Sequence, residues 1–215
     1  ELTRQIEPGS VDLVVWSEGS TGSFNADPVQ NPEIGEAIGA EARRIGAWFL
    51  VGSDRPVSET HWINANVVFN LGDGVAMGSV ISFEGGFSRY PRQNAQAGAN
   101  LIVVATNEGS YGTTRGSDQF IGMTRMRAAE LGTPVIHAAV TGKSVFIGDG
   151  GQFTSESTGL GTMEILIGAV APSARSIYAN TGDVVMIVAA LIGLGTWWRA
   201  RHPLVVSAPV IDEEE

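Results

Sequence analysis

Gly78-Ser79-Val80-Ile81-Ser82-Phe83-Glu84-Gly85-Gly86-Phe87 sets an apolar run against a hydroxyl, a carboxylate and two glycines. Read as the end of a strand over Val75–Phe83, it presents polar side chains at a sheet edge. Glu84, two residues past Ser82, then leaves the same face of the extended chain. Two other segments have the same form. Asp12-Leu-Val-Val-Trp16 runs into Ser17-Glu18, and Asn100–Ala105 runs into Thr106-Asn107-Glu108 and a glycine-rich loop ending at Gly112. Continuous apolar runs of this kind suit strands buried on both faces.

Helical signals lie between them. Asn31-Pro32-Glu33 places a capping amide, a first-turn proline and an acid at a helix start. Ile34, Ala37, Ile38, Ala42 and Ile45 follow as one apolar stripe, closed by Gly46. Trp48–Val51 and Ile63–Phe69 read as strands, the latter joined to Val75–Phe83 by Gly72-Asp73-Gly74. Ser117–Leu131 reads as a helix with Phe120, Met123 and Leu131 inward, ended by Gly132. Pro134–Val140 is a further strand, and Ser144–Ile147 with Gln152–Ser155 reads as a hairpin about Asp149-Gly150-Gly151. The alternation predicts an α/β fold, a sheet covered by helices.

Composition narrows the function classes. The 215 residues carry a net charge of −10, which excludes a basic nucleic-acid surface. There is no cysteine, so disulfides and thiolate chemistry are excluded, and Lys143 is the only lysine. His61, His137 and His202 lack metal-ligand spacing, and Gly72-Asp73-Gly74 lacks the lysine of a phosphate loop. A start at Glu1 without a leader reads as a portion of something longer.

The C-terminal part differs in kind. Val184–Trp198 is uncharged and apolar, short of the ~20 residues of a typical span. Length alone suits a buried core helix. Trp197 and Trp198 at one end, Arg199 and Arg201 beyond them, and Gly193 and Gly195 within favour a membrane helix over 183–202. The arginine-rich end then lies in the cytoplasm, residues 1–182 lie outside, and 203–215 form an acidic, solvated cytoplasmic tail.

Together, Trp16–Glu18, Ile81–Glu84, Thr106–Gly112, the helix carrying Gln119, Arg125, Arg127 and Glu130, and Thr141-Gly142 with Asp149-Gly150 resemble the apolipoprotein N-acyltransferase family. That family belongs to the carbon–nitrogen hydrolase (nitrilase) superfamily, and the resemblance covers most of residues 11–182. It implies a four-layer α-β-β-α sandwich followed by one transmembrane helix. It also implies transfer of an acyl chain from a phospholipid to the α-amine of a lipoprotein's diacylglyceryl-cysteine, at the bacterial cell membrane and without metal or organic cofactor. Glu18 matches the family's base, Ser82 the position of its cysteine nucleophile, and Glu84 a carboxylate supporting that nucleophile. The arginines and Glu130 match structural framework.

The departures bear on activity. A serine hydroxyl is a far weaker acid than a thiol, and serine nucleophiles generally use a histidine or lysine base. The family's catalytic lysine should precede Val75, where only Leu71–Gly74 stands, and Lys143 is expected to point elsewhere. Acyl transfer is therefore expected to be impaired, whether Ser82 is natural or introduced. Two alternatives stand beside the main reading: an inactive homologue that binds lipid or a protein partner, and a soluble-type amidase of the same superfamily. On the main reading, Glu18 and Ser82 should converge within about one hydrogen bond or one bridging water, beside a cleft opened by the short 70–75 segment.

Overall fold

The structure, a computed structural model, describes residues 2–21, 27–52, 55–58, 61–63, 68–72 and 74–202, with backbone alone for those between 55 and 70. It divides into a unit ending at Asn180 and a second unit from Thr181.

In the first unit, β1 (Leu13–Trp16) pairs in parallel with β2 (Trp48–Val51) through the crossover helix α1 (Pro32–Ile45). The cap anticipated for α1 is present: Asn31 Oδ1 accepts from the Ile34 N–H, and Gly46 closes the helix at φ 77°. A short antiparallel pair follows, β3 (Arg55–Ser58) with β4 (His61–Ile63). The main sheet has five strands in sequence order: β5 (Val68–Gly72), β6 (Val75–Ile81), β7 (Leu101–Thr106), β8 (Val135–Ala139) and β9 (Val145–Ile147). The three central strands are parallel and the two edge strands antiparallel to their neighbours. Helices α2 (Arg89–Gln96) and α3 (Gly116–Leu131) make the parallel crossovers.

Alternation along the strands sorts the core into layers. Leu13 and Val15 of β1 pack with Met77, Leu101, Val103 and Ile136 of the main sheet, so the two sheets face each other. Val14 and Trp16 point the other way, onto Ile45 of α1 and Phe49. On the far side of the main sheet, Val80, Ile102, Val104 and Val135 pack against Ala95 of α2 and against Phe120, Ile121, Ala128 and Leu131 of α3. The order of layers is α1, the β1–β2 sheet, the main sheet, then α2 with α3: the α-β-β-α sandwich. Each fully buried Val, Ile or Leu contributes about 1.5–3 kcal/mol, so β7, with all six residues buried, is the mechanical centre of the unit.

Several local expectations change. The strand expected over Ile63–Phe69 is divided, since β4 ends at Ile63 and β5 begins at Val68, and residues 64–67 lie outside the described residues. α2 has no counterpart in the sequence reading. Met123, expected inward, is 38% exposed while Phe120 and Leu131 are buried. The hairpin beyond β9 is reduced to one bridge, Ile147 with Phe153.

After the short helix α4 (Ile177–Thr181), the second unit holds α5 (Val184–Arg201), 18 residues, none of them buried. By length and composition it is the one helix among the described residues able to cross a membrane. The acidic 203–215 segment lies outside the described residues.

Candidate active site

β6 does not continue to Phe83 as expected. It stops at Ile81, and Ser82–Gly86 forms a 3₁₀ turn entered through Ser82 at φ 53°. Ser82 is the only non-glycine among the described residues with positive φ. An L-residue in this region carries a cost of about 1–2 kcal/mol. Ser82→Gly should therefore raise stability by about 1 kcal/mol, measured by urea unfolding. The turn also corrects the expected placement of Glu84. Alternation fails once the chain leaves the strand, so Glu84 does not share a strand face with Ser82. Its Oε2 instead accepts from the Ile81 N–H at 3.3 Å and ties the turn to the strand end.

Behind the turn, Arg127 donates to the Gly86 carbonyl at 3.2 Å and to Glu130 Oε1 at 2.9 Å. With its side chain only 12% exposed, this arginine does more than an open surface pair would. It fixes the far end of the turn to α3. Close packing underneath allows no side chain at Gly85, where a Cβ would lie 2.8 Å from Val104 Cγ1.

Glu18 arrives from the other sheet. It follows β1, and its Oε2 accepts from the Asn107 N–H at 2.8 Å. Asn107 follows β7, which is the parallel neighbour of β6, with Ile81 paired to Ala105. Glu18 and Ser82 therefore belong to the same end of the two facing sheets, one beyond β1 and the other beyond β6. Ser82 makes no side-chain hydrogen bond among the described residues. Lys143 donates to Asp118 Oδ1 at 2.6 Å, on the first turn of α3. Asp73, in the short segment between β5 and β6, lies outside the described residues.

A network that the sequence reading missed supports this edge. Asn107 Oδ1 accepts from the Gly109 N–H at 3.1 Å and from Thr141 Oγ1 at 2.6 Å, which fixes the residue whose backbone holds Glu18. Next to it, Glu108 turns inward, and its Oε1 lies 2.8 Å from His137 Nε2, both side chains fully buried. Thr124 Oγ1 donates to the Ile121 carbonyl at 2.9 Å and lies 3.3 Å from His137 Nδ1, so both ring nitrogens have a polar neighbour. Glu108 Oε2 is buried without a partner among the described residues. Burial first, and the Glu108 charge second, push the Tyr111 hydroxyl above the usual tyrosine range. The signal for this network was present in part: a carboxylate directly after an all-apolar strand, and a histidine within the next one.

Gly142, at φ 99°, packs directly on Glu108, and a Cβ there would overlap Oε2. Gly142→Ala combines overpacking with a disfavoured backbone and should cost on the order of 3 kcal/mol by chemical denaturation. Among the described residues, no group of three His, Asp or Glu is placed to hold a metal ion. A polar recess of about 420 Å³, lined in part by Asn100, Ser173 and Arg175, lies where β7 begins, at the other end of the sheet from Ser82.

Residues 52–179, more than half of the 215, match the carbon-nitrogen hydrolase family. The chain belongs to that family. Among carbon-nitrogen hydrolase relatives, the apolipoprotein N-acyltransferase of Bradyrhizobium diazoefficiens is 39% identical over 108 residues, 47% of this chain and 20% of that protein. The enzyme of the same name from Rhodopseudomonas palustris is 38% identical over 104 residues, 47% of this chain and 19% of that protein. The matched segment thus spans about a fifth of the length of these relatives. Among solved structures, an amidase from Nesterenkonia sp. superposes with a TM-score of 0.56 at 15% identity, covering 74% of this chain and 77% of the amidase. A carbon-nitrogen hydrolase from Helicobacter pylori gives 0.52 at 16% identity, covering 67% and 72%. At such identities the two structures speak for the fold, while the two N-acyltransferases carry the likeness in sequence.

Proposed function

We propose that this chain is the nitrilase-like part and a membrane helix of an apolipoprotein N-acyltransferase, with acyl transfer impaired by Ser82. The observation that carries the reading is the elbow itself. A hydroxyl stands on a left-handed turn at the end of a central parallel strand, at the sheet edge where Glu18 is held. The sequence likeness to N-acyltransferases favours this over a soluble amidase.

In the proposed reaction, Glu18 takes the proton of the residue-82 nucleophile as its sulfur or oxygen bonds to the ester carbonyl carbon of a phospholipid. The ester C–O bond breaks, and the lysophospholipid leaves with that proton. The α-amine of a lipoprotein's terminal cysteine then attacks the acyl-enzyme, loses a proton to Glu18, and restores the nucleophile. Thiolate suits the first step, and an alkoxide generated by a carboxylate alone does not. The single lysine, engaged with Asp118, offers no support for an oxyanion stabiliser, a contribution often worth about 100–1,000-fold. α5 serves as the span, and Arg199 and Arg201 favour a cytoplasmic end for it, with the sandwich outside the cell membrane.

The full chain in phosphatidylethanolamine vesicles, given a diacylglyceryl-cysteine peptide, tests this by mass spectrometry. N-acylated peptide is expected with Ser82→Cys and little or none with the unmodified chain. Turnover by the unmodified chain at a rate typical of enzymes refutes the impairment. A folded Ser82→Cys variant that yields no acylated peptide favours a homologue that binds lipid or a partner without chemistry.

A further inference from the structure

Glu18 is gripped at both ends. On the backbone side, Gly52 closes β2 against it. The Gly52 N–H donates to the Trp16 carbonyl at 3.0 Å, and a Cβ on Gly52 would stand 2.8 Å from Glu18 Cα. At the other end the carboxylate accepts from the Asn107 N–H at 2.8 Å. A carboxylate held by a main-chain N–H is placed only as firmly as that stretch of main chain.

Asn107 is exposed between two buried residues, Thr106 and Glu108, and both neighbours are tied to the end of β8. The Thr106 carbonyl accepts from the Val140 N–H at 3.0 Å, and the Glu108 N–H donates to the Thr141 carbonyl at 3.3 Å. Between them the Asn107 N–H serves Glu18, and a side chain makes the tie to β8 instead. Thr141 Oγ1 donates to Asn107 Oδ1 at 2.6 Å, and the Gly109 N–H donates to the same oxygen at 3.1 Å. One hydroxyl from the loop after β8 thus reaches Glu18 through one intermediary. Threonine suits this place: its branched Cβ restricts χ1, and its hydroxyl brings no second charge beside the carboxylate.

We propose that Thr141 is a positioning residue: by holding Asn107 Oδ1, it fixes the main-chain N–H that holds the Glu18 carboxylate. The inference rests on the reading of Glu18 as the base for residue 82 and adds what keeps that base in place.

The test uses the full chain with Ser82→Cys, in which residue 82 carries the one thiol. The probe is iodoacetamide, read as one carbamidomethyl mass on the intact protein. Sulfur bonds to the methylene carbon, iodide leaves, and the thiol proton passes to Glu18 or to water. At about pH 6.5 roughly 1% of an ordinary thiol is thiolate, so reaction there depends on the base. At about pH 9.5 thiolate forms without it. Glu18→Gln is expected to slow alkylation at the lower pH by about 100-fold. Thr141→Val keeps the side-chain shape, loses the hydroxyl, and should slow it about three- to tenfold, the share of one hydrogen bond. Thr141→Ser should restore the rate. At the higher pH all variants should react alike, and Thr141→Val added to Glu18→Gln should bring no further loss. If Thr141→Val does not fold, Asn107→Ala breaks the same bond from its other side and carries the same expectation. Equal slowing at both pH values, or slowing that persists in full without Glu18, makes Thr141 merely structural and overturns the proposal. An unchanged rate with Thr141→Val, where Glu18→Gln is slow, overturns it and leaves the base assignment standing. No effect of Glu18→Gln overturns the base assignment and this proposal with it.

Discussion

Ser82→Cys is expected to take up an acyl chain from phosphatidylethanolamine vesicles, visible as one acyl mass added to the intact protein, where the unmodified chain gains none. The difference is chemical rather than architectural. The elbow already places residue 82 at φ 53° with its turn anchored by Glu84 and Arg127, so the substitution alters the acidity of one atom and little else. A thiol with an ordinary pKa near 8.5 is within reach of a carboxylate base, and an alcohol is not. General-base catalysis contributes about 10²–10⁴-fold, so Glu18→Gln in the Ser82→Cys background should slow adduct formation by at least about 100-fold. With no other cysteine present, the adduct reports residue 82 alone. Equal acylation with and without Glu18 would remove that residue from the site.

Glu108→Ala should be among the most destabilising single substitutions in the unit, at about 3–5 kcal/mol in urea unfolding. Its carboxylate and the His137 ring are both fully buried and 2.8 Å apart. Truncation strands the imidazole in a site walled by the Phe120 ring, 5.0 Å away, and by Thr124. Replacing both partners together, Glu108→Leu with His137→Leu, removes the unpaired group as well as the bond. The double variant should therefore lose less than the two single losses added. Additive losses would show that the two side chains do not act as a pair.

The parts of the fold legible in sequence were those where burial writes itself into residue type. β1 is apolar at every position because one face meets the main sheet and the other meets α1. α1 carries its own start and stop in Asn31, Pro32 and Gly46. α2 was illegible for the converse reason: Arg-Tyr-Pro-Arg-Gln-Asn-Ala-Gln buries only Pro91, Asn94 and Ala95, too little for an apolar stripe. The elbow escaped because an alternation of side chains contains no information about the sign of φ, so Glu84 was placed on a strand face that does not exist. Glu108 and His137 stand 29 residues apart and meet only because β7 and β8 are parallel neighbours. For the site, sequence likeness proposed Glu18 and Ser82; their place at the same end of the sandwich depends on two sheets facing each other, which no local pattern encodes.

α5 is apolar around its circumference, and none of its residues is buried. On the reading of α5 as a span, the chain poses two folding problems to two solvents. Water drives burial in the sandwich, whereas in lipid the need to satisfy backbone hydrogen bonds is enough to hold a helix. Failure of one part does not carry the other with it. A sandwich weakened at Glu108 or Gly142 would remain tethered at the membrane as an unfolded domain, retained where it was made and open to proteases, so abundance at the membrane and fraction folded become separate quantities for this protein.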